Sequence, residues 1–337
     1  MMTTLVAGAI VLGGQWGDTH AWTEDSGPEP REHAAVLTLG EELIVFAGSG
    51  YAPQMSPMQD AWRYDTETHE WSELSIEGDL PSEGGSIRPA RITEHEWLLF
   101  GGYDGSFVCA NTLTRATIEG DTLTLKTVEQ RNPPPGRALH AIGYDPQTEQ
   151  LVVFGGVSRE GMRSGTWIAT ESEGVYEWTR LETETTPSPR FGMSYGFDEA
   201  SGRVIIASGQ DSAAAMQMSD EVWALDTRAQ PPVWTKIGSI PESNAVRNPC
   251  FAWDEQRSSL WVWCGTADGR SNAPDVIEIV VGEDRAEVTR HERDDEPQRR
   301  SSGQGAVLPD GRVWFGFGNH AGGVMRDWVV WEPGDDE

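Results

Sequence analysis

Five arginines keep a regular distance from five glycines. Arg31, Arg137, Arg190, Arg247 and Arg300 stand 17, 19, 19, 18 and 18 residues ahead of Gly48, Gly156, Gly209, Gly265 and Gly318, each of which ends an apolar run. A guanidinium is a planar fork of donors that matches a carboxylate, so a ring of them would form an anion-binding mouth for acidic peptides or sugar acids. A residue repeated this regularly can equally tie one structural unit to the next through carboxylates or loop carbonyls. The segments following the glycines are more individual, as binding loops are. They offer Tyr51, Tyr103, Asp104, Arg159, Gln210, Asp211, Asp268, Arg270, Asn319 and His320. With His33 beside Arg31, the candidate ligand-binding set is Arg31, His33, Tyr103, Asp104, Arg137, Arg190, Asp211, Arg247, Asp268, Arg300 and His320.

Other constellations carry less. Glu283, Glu287 and His291 are spaced by four, but on a strand the outer two would lie about 26 Å apart. "GFGNHAGG" lacks the spacing of a phosphate loop and opens no helix. Three cysteines, Cys109, Cys250 and Cys264, are too few for a disulfide framework or a four-ligand zinc site. Cys250 and Cys264 are symmetric about Arg257 and would face each other across a hairpin, whereas a slip of one residue parts them. A disulfide and two buried thiols both remain open. No catalytic residue, metal or cofactor is expected.

The elements that must position these residues announce themselves by repetition. "LIVFAG", "WLLFGG", "LVVFGG", "VIIASG", "LWVWCG" and "VWFGFG" end at Gly48, Gly102, Gly156, Gly209, Gly265 and Gly318, at intervals of 54, 54, 53, 56 and 53 residues. Runs of Val, Ile, Leu and Phe read as buried strands, and glycine stops them where backbones crowd. Ahead of these runs, "YDPQTEQL", "FDEASGRV" and "WDEQRSSL" read as hairpins that bring in a first strand. Behind them come a third strand and a fourth carrying Trp, as in "GTWIAT" and "YEWTRL". Trp71, Trp178 and Trp234 follow their glycines by 23, 22 and 25 residues. Four strands repeated six times at a period near 50 predict an all-β, six-bladed propeller with antiparallel blades.

These marks, the double glycine, the aromatic third strand and the fourth-strand Trp, resemble those of the kelch-repeat β-propellers, the superfamily that includes the central domain of galactose oxidase. The resemblance covers residues 20–331 in whole or part. Ser208, Cys264 and Phe317 replace the first glycine in the later units, Leu113 and Leu125 stand at the Trp positions of the second, and Ile277 and Val288 at those of the fifth. The sixth unit runs out of chain after "RDWVVWEPG", and its missing strand reappears near Trp22, so the two ends of the chain are expected to close the ring in one blade. The join from Gly318 round to Gly48 is 67 residues long, about 13 more than one repeat. Residues 1–14 are therefore expected to be an extension or leader, and residues 15–337 the propeller. Closure would bring Arg31, His33, Arg300 and His320 into one pocket, the preferred site.

The resemblance implies ligand recognition at the channel mouth by a non-enzymatic module binding a protein or acidic ligand. It also implies an alternative, an enzyme acting there on a sugar acid in the manner of the sialic-acid epimerases. Copper-radical oxidation of the galactose oxidase kind needs a Tyr-His pair that this chain lacks. The iron ligands of nitrile-specifier proteins follow Glu-x3-Asp-x3-His, which Glu283, Glu287 and His291 match only with Glu for Asp.

Composition narrows the partners. Asp and Glu number 54 against 25 Lys and Arg, for a net charge of -29, which disfavours nucleic acid and anionic membranes. Leu5 to Gly14, the longest uncharged apolar stretch, is too short to span a bilayer. It has the character of a signal-segment core but no preceding Lys or Arg. A monomer that stays in the cytoplasm is the expectation, with the compartment open.

Overall fold

The computed structural model describes residues 9–10, 14–50, 55–212, 217–267, 275–292, 297–321 and 323–334. Six antiparallel sheets form a six-bladed propeller, each with its first strand at the axis. Blade one is Ala35–Leu39, Glu42–Phe46, Ala61–Asp65 and Trp71–Glu73; blade two is Arg88–Thr93, Glu96–Phe100, Leu113–Glu119 and Thr122–Thr127. Blade three is Ala141–Asp145, Gln150–Phe154, Thr166–Ser172 and Val175–Leu181, and blade four is Ser194–Asp198, Arg203–Ala207, Glu221–Asp226 and Val233–Ser239. Blade five is Cys250–Asp254, Ser259–Trp263, Val276–Val281 and Ala286–His291.

Blade six joins the two ends of the chain. Gln304–Val307, Val313–Gly316 and Asp327–Glu332 come from the C-terminal part, and the outer strand is Gln15–Trp16 and His20–Ala21, interrupted between them. Gln15 pairs with Glu332, Trp16 with Trp331, and His20 with Trp328. Trp22 follows directly and packs at 5.2 Å from Trp71 and 5.3 Å from Phe317. Trp16 wedges between blades five and six, 4.7 Å from Trp263 and 5.0 Å from Trp331.

Among the described residues, three blades gain a fifth, parallel strand at the rim. Ser75–Gly78 and Glu129–Arg131 come from the links leading into blades two and three, and Ala9–Ile10 pairs with Thr289 and Arg290 of blade five. The fourth-strand tryptophans fill the gap between blades. Trp178 packs 5.2 Å from Phe100 of the preceding blade, and Trp234 5.2 Å from Phe154. Their indole N–H groups donate to Gln130 and Thr166 at 2.8 Å, so burial leaves neither donor unsatisfied.

The glycine that ends each second strand is explained by its backbone. Gly48, Gly102, Gly156, Gly209, Gly265 and Gly318 all have φ between +90° and +109°, which only glycine adopts without strain. This turns each amide toward the next blade. The bonds run from Gly48 to the carbonyl of Gly84, Gly102 to Arg137, Gly156 to Arg190, Gly209 to Val246, Gly265 to Arg300 and Gly318 to Arg31, at 2.8–3.0 Å. Six bonds thus close a circle.

A second circle lies two residues further along each blade. His33 donates to Ser302, Ser86 to His33, Gly192 to Leu139, Asn248 to Gly192 and Ser302 to Asn248 through the backbone at 2.7–2.9 Å. The Ser86 hydroxyl completes the set by accepting from Leu139 at 2.9 Å. All six residues are left-handed, with φ from +51° to +65°. Five are not glycine, and each of those carries strain of about 1–2 kcal/mol. The two circles form a rigid collar around the channel mouth.

Candidate functional site at the channel mouth

The collar provides a register in which to place the arginines. Arg31, Arg137, Arg190 and Arg300 occupy equivalent positions, each two residues ahead of the inner circle, whereas Gly84 and Val246 take that place in blades two and five. Arg247 lies one residue further on, equivalent to Glu32, Ala138, Phe191 and Ser301. The repeated ring therefore contains four arginines, and Arg247 belongs to a different layer.

Those four point into the wall. Arg31 and Arg300 are completely buried, and each donates at 2.7 Å to an acid at the head of its own third strand, Asp60 or Asp327. Arg190 makes the same contact with Glu221 at 2.9 Å. Arg31, Arg137 and Arg300 also donate to the carbonyls of Ala47, Gly155 and Phe317, the residues just before the stop glycines. Gly165 stands at the acid position in blade three, so Arg137 has carbonyl partners but no carboxylate among the described residues. Burial and then the neighbouring Arg163 push its pKa down to about 10.

The remaining candidates disperse. His33 is buried in the collar, and desolvation, then the charge of Arg88, lowers its pKa to about 3, so its ring is neutral. Asp104 accepts the amides of Ser106 and Val108 at 2.8 Å and shapes its own turn. Asp211 lines an outer groove with Ser188 and Ser219. The ring of His320 is 2.8 Å from the carbonyl of Arg299 and lines a surface hollow with Ala21 and Met325. Arg31, His33, Arg300 and His320 are thus not brought together. Asp268, with Tyr51 and Arg270, lies outside the described residues.

The side chains that do surround the mouth divide by polarity. Blades two to four contribute an apolar crescent of Tyr103, Leu139 and Phe191, edged by Met55, Phe107 and Met162. Beside it Val108 is 52% exposed, among the few large apolar side chains so placed. The opposite arc is polar. Asn319 donates to the Glu32 carboxylate and accepts at 2.9 Å from Ser301, and Ser49 is 3.0 Å from the Tyr103 hydroxyl. Arg247 joins the arcs, 5.9 Å over the Phe191 ring and donating to Gln210 at 2.5 Å. Among the described residues it has no carboxylate partner.

Glu32 escaped the sequence reading because nothing in its spacing marks it. It is 4% exposed, and burial raises its pKa to about 7 against the opposing hydrogen bond from Asn319. Arg88 escaped because blade two breaks the arginine rhythm. Its position in the first strand corresponds to Ala35, Ala141, Ser194, Cys250 and Gln304 in the other blades, so alignment on the collar is the signal that exposes it.

No group of three or more His, Cys, Asp or Glu side chains able to hold a metal occurs among the described residues. Glu283 is in the hairpin turn, Glu287 binds Arg285 at 3.0 Å, and His291 is buried on the strand beyond, so the three do not converge. Cys250 pairs with Trp263 across the hairpin, one residue out of register with Cys264, and the two are not joined in a disulfide.

Comparison with known proteins places this architecture. The Kelch motif profile matches residues 30–76, the stretch carrying Arg31, the stop at Gly48 and Trp71. A solved structure described as that of YjhT superposes with a TM-score of 0.67 over 90% of this chain and 95% of that one, at 14% identity. This chain carries a kelch motif and has the fold of a kelch-type six-bladed β-propeller. Among curated kelch relatives, a bovine (Bos taurus) Rab9 effector protein with kelch motifs is 34% identical over 156 residues, 44% of this chain and 39% of that protein. An N-(sulfonatooxy)prop-2-enimidothioate sulfolyase from Thlaspi arvense is 23% identical over 67% of each chain. Adagio protein 3 of Arabidopsis thaliana is 23% identical over 60% of this chain, which spans 32% of that protein's length. No helix among the described residues is long and apolar enough to cross a membrane.

Proposed function

We propose that this kelch propeller is a non-enzymatic binding module that recognises a protein partner at the collared mouth through an acidic, partly apolar segment. The observation that carries this reading is Arg247, a half-buried guanidinium that meets no carboxylate among the described residues, set against the apolar crescent of Tyr103, Leu139 and Phe191. A carboxylate meeting Arg247 would make a charge-assisted pair in a partly desolvated place, where such pairs are strong. An apolar neighbour would cover Phe107 and Val108. The chain's net charge of -29 opposes an acidic molecule at long range, so recognition falls to the short-range contacts at Arg247. A relative described as a Rab9 effector with kelch motifs is consistent with a protein-binding role.

Selection of random 12-residue peptides displayed on phage tests the proposal. Peptides pairing Asp or Glu with Leu or Phe should be enriched, and the substitutions Arg247→Glu and Val108→Asp should each abolish their binding. Enrichment of basic peptides, or unchanged binding by both variants, would overturn it.

One observation favours a second reading, an enzyme acting on a sugar acid. Glu32, with a pKa near 7 and an Asn319 partner, is poised as a general acid or base. Proton NMR of a sugar-acid panel would show turnover that E32Q removes.

A further inference from the structure

The channel wall below the collar contains a buried cation that meets no counter-ion among the described residues. Arg88 opens the first strand of blade two and is 5% exposed, yet no carboxylate pairs with it among the described residues and its buried Nε has no hydrogen-bond partner. Its guanidinium carbon lies 5.7 Å from the Tyr195 ring and 5.9 Å from that of Phe251, across the channel on blades four and five. Aromatic faces attract a guanidinium, but they do not neutralise it. The other nearby ionisable groups add no negative charge. His33 and His140 are both fully buried and neutral, and Arg88 itself contributes to holding them so.

Three of the four arginines of the collar register offset a buried guanidinium with an acid, whereas Arg137 is held by carbonyls. Arg31, Arg190 and Arg300 each meet an acid within 2.9 Å. A buried charge without such a partner is costly. The position next to Arg88 forms one layer across the six blades, with Val36, Pro89, Ile142, Tyr195, Phe251 and Gly305. Half of that layer is small and half is apolar and bulky. Further along the same strands, Thr38, Arg91, Trp253 and Val307, with Glu94 and Glu255 nearby, line an open cavity of about 390 Å³.

We infer that the channel interior binds a small monocarboxylate, its two oxygens on the Arg88 guanidinium and its short apolar tail against Tyr195 and Phe251. This site is separate from the mouth proposed above, and its ligand is a small molecule. Guanidinium geometry favours the planar carboxylate over a spherical halide, because two parallel N–H···O bonds form at once.

Acetate and chloride are the probes. At constant ionic strength the thermal midpoint of the wild-type protein should rise saturably with acetate and less with chloride, as expected for a ligand that binds only the folded state. Arg88→Met should weaken acetate binding by about tenfold or more, while Arg285→Ala, at an exposed rim arginine paired with Glu287, leaves it unchanged. If R88M does not fold, R88K, which retains the charge without the fork, should show intermediate binding. Crystals soaked in bromoacetate should carry the anomalous bromine peak beside Tyr195 and Phe251. Equal acetate stabilisation of wild type and R88M, an equal loss of it in R285A, or no saturable rise in the wild type would each overturn the inference.

Discussion

The amide of Gly318 in blade six donates to the carbonyl of Arg31 in blade one at 2.9 Å. This bond joins the last repeat to the first and uses both of the features that recur in the sequence, the stop glycine and the collar arginine. Backbone and side chain of Arg31 therefore have separate tasks. The carbonyl closes the circle, while the guanidinium pins the third strand of its own blade through Asp60.

If the circle is what the glycines serve, a Cβ at Gly318 must break it. That atom would lie 2.6 Å from the Ser301 carbonyl oxygen and 2.7 Å from the Gly303 nitrogen, both backbone, at φ +90°. Gly318→Ala should cost at least about 2 kcal/mol in urea unfolding. Ala47 sits one position before a stop glycine at φ +60°, so Ala47→Gly should stabilise by about 1 kcal/mol. A neutral G318A would show that the interblade circle is dispensable.

The arginine clasps predict acid sensitivity. Burial alone would raise the pKa of Asp60, but hydrogen bonds and charge from Arg31, with the Trp62 indole, together pull it below its ordinary value. Glu221 is lowered to about 2 against burial by Trp223, Arg190 and Lys236. A depressed carboxylate stabilises the fold above its unfolded pKa, and that contribution is lost as pH falls through the folded one. Stability should therefore decline progressively below pH 4.5, toward pH 2. Asp60→Asn should flatten the decline, which chemical denaturation at a series of pH values would measure.

Glu32 behaves in the opposite sense. Its carboxyl titrates near 7 in the folded protein against an ordinary 4.5, so the folded state prefers it protonated. Its ionisation therefore costs stability, increasingly as pH rises from 4.5 to 7 and constantly above that. Glu32→Gln should raise the stability at pH 8 by up to about 3 kcal/mol, with the gain vanishing toward pH 4.5. A gain independent of pH would mean that the carboxylate is not desolvated as described.

Much of this was legible in the residues because a repeat states the same constraint six times. The stop glycines, the Trp spacing and the closing of the ring near Trp22 all follow from backbone and packing needs that recur. The parallel rim strand Ser75–Gly78 was not legible, since it occurs in some blades only and satisfies its backbone against whatever edge is free. The one-residue offset of Arg247 was hidden because spacing alone tolerates a shift that hydrogen-bond register does not. Glu32 and Arg88 were invisible for a related reason. Their burial is created by neighbours from other blades, and no local pattern encodes it.

Closure through the outer strand of blade six makes Trp16 a structural wedge. It contacts Trp263, Phe315 and Trp331 from two different blades. Trp16→Ala should destabilise by about 2–4 kcal/mol and broaden the thermal transition as the edge of blade six is freed. Calorimetry would detect this as a fall of the calorimetric enthalpy and cooperativity together. A sharp, unshifted transition would indicate that the first strands add nothing to the ring.

The most direct measurement on the mouth itself is the affinity of one selected acidic peptide for three proteins, by fluorescence anisotropy. The account predicts that Arg247→Ala weakens binding about tenfold or more, while Arg137→Ala, which alters a guanidinium held inside the wall, changes it little as long as the protein stays folded. Binding that survives loss of Arg247 but disappears with Arg137 would contradict it.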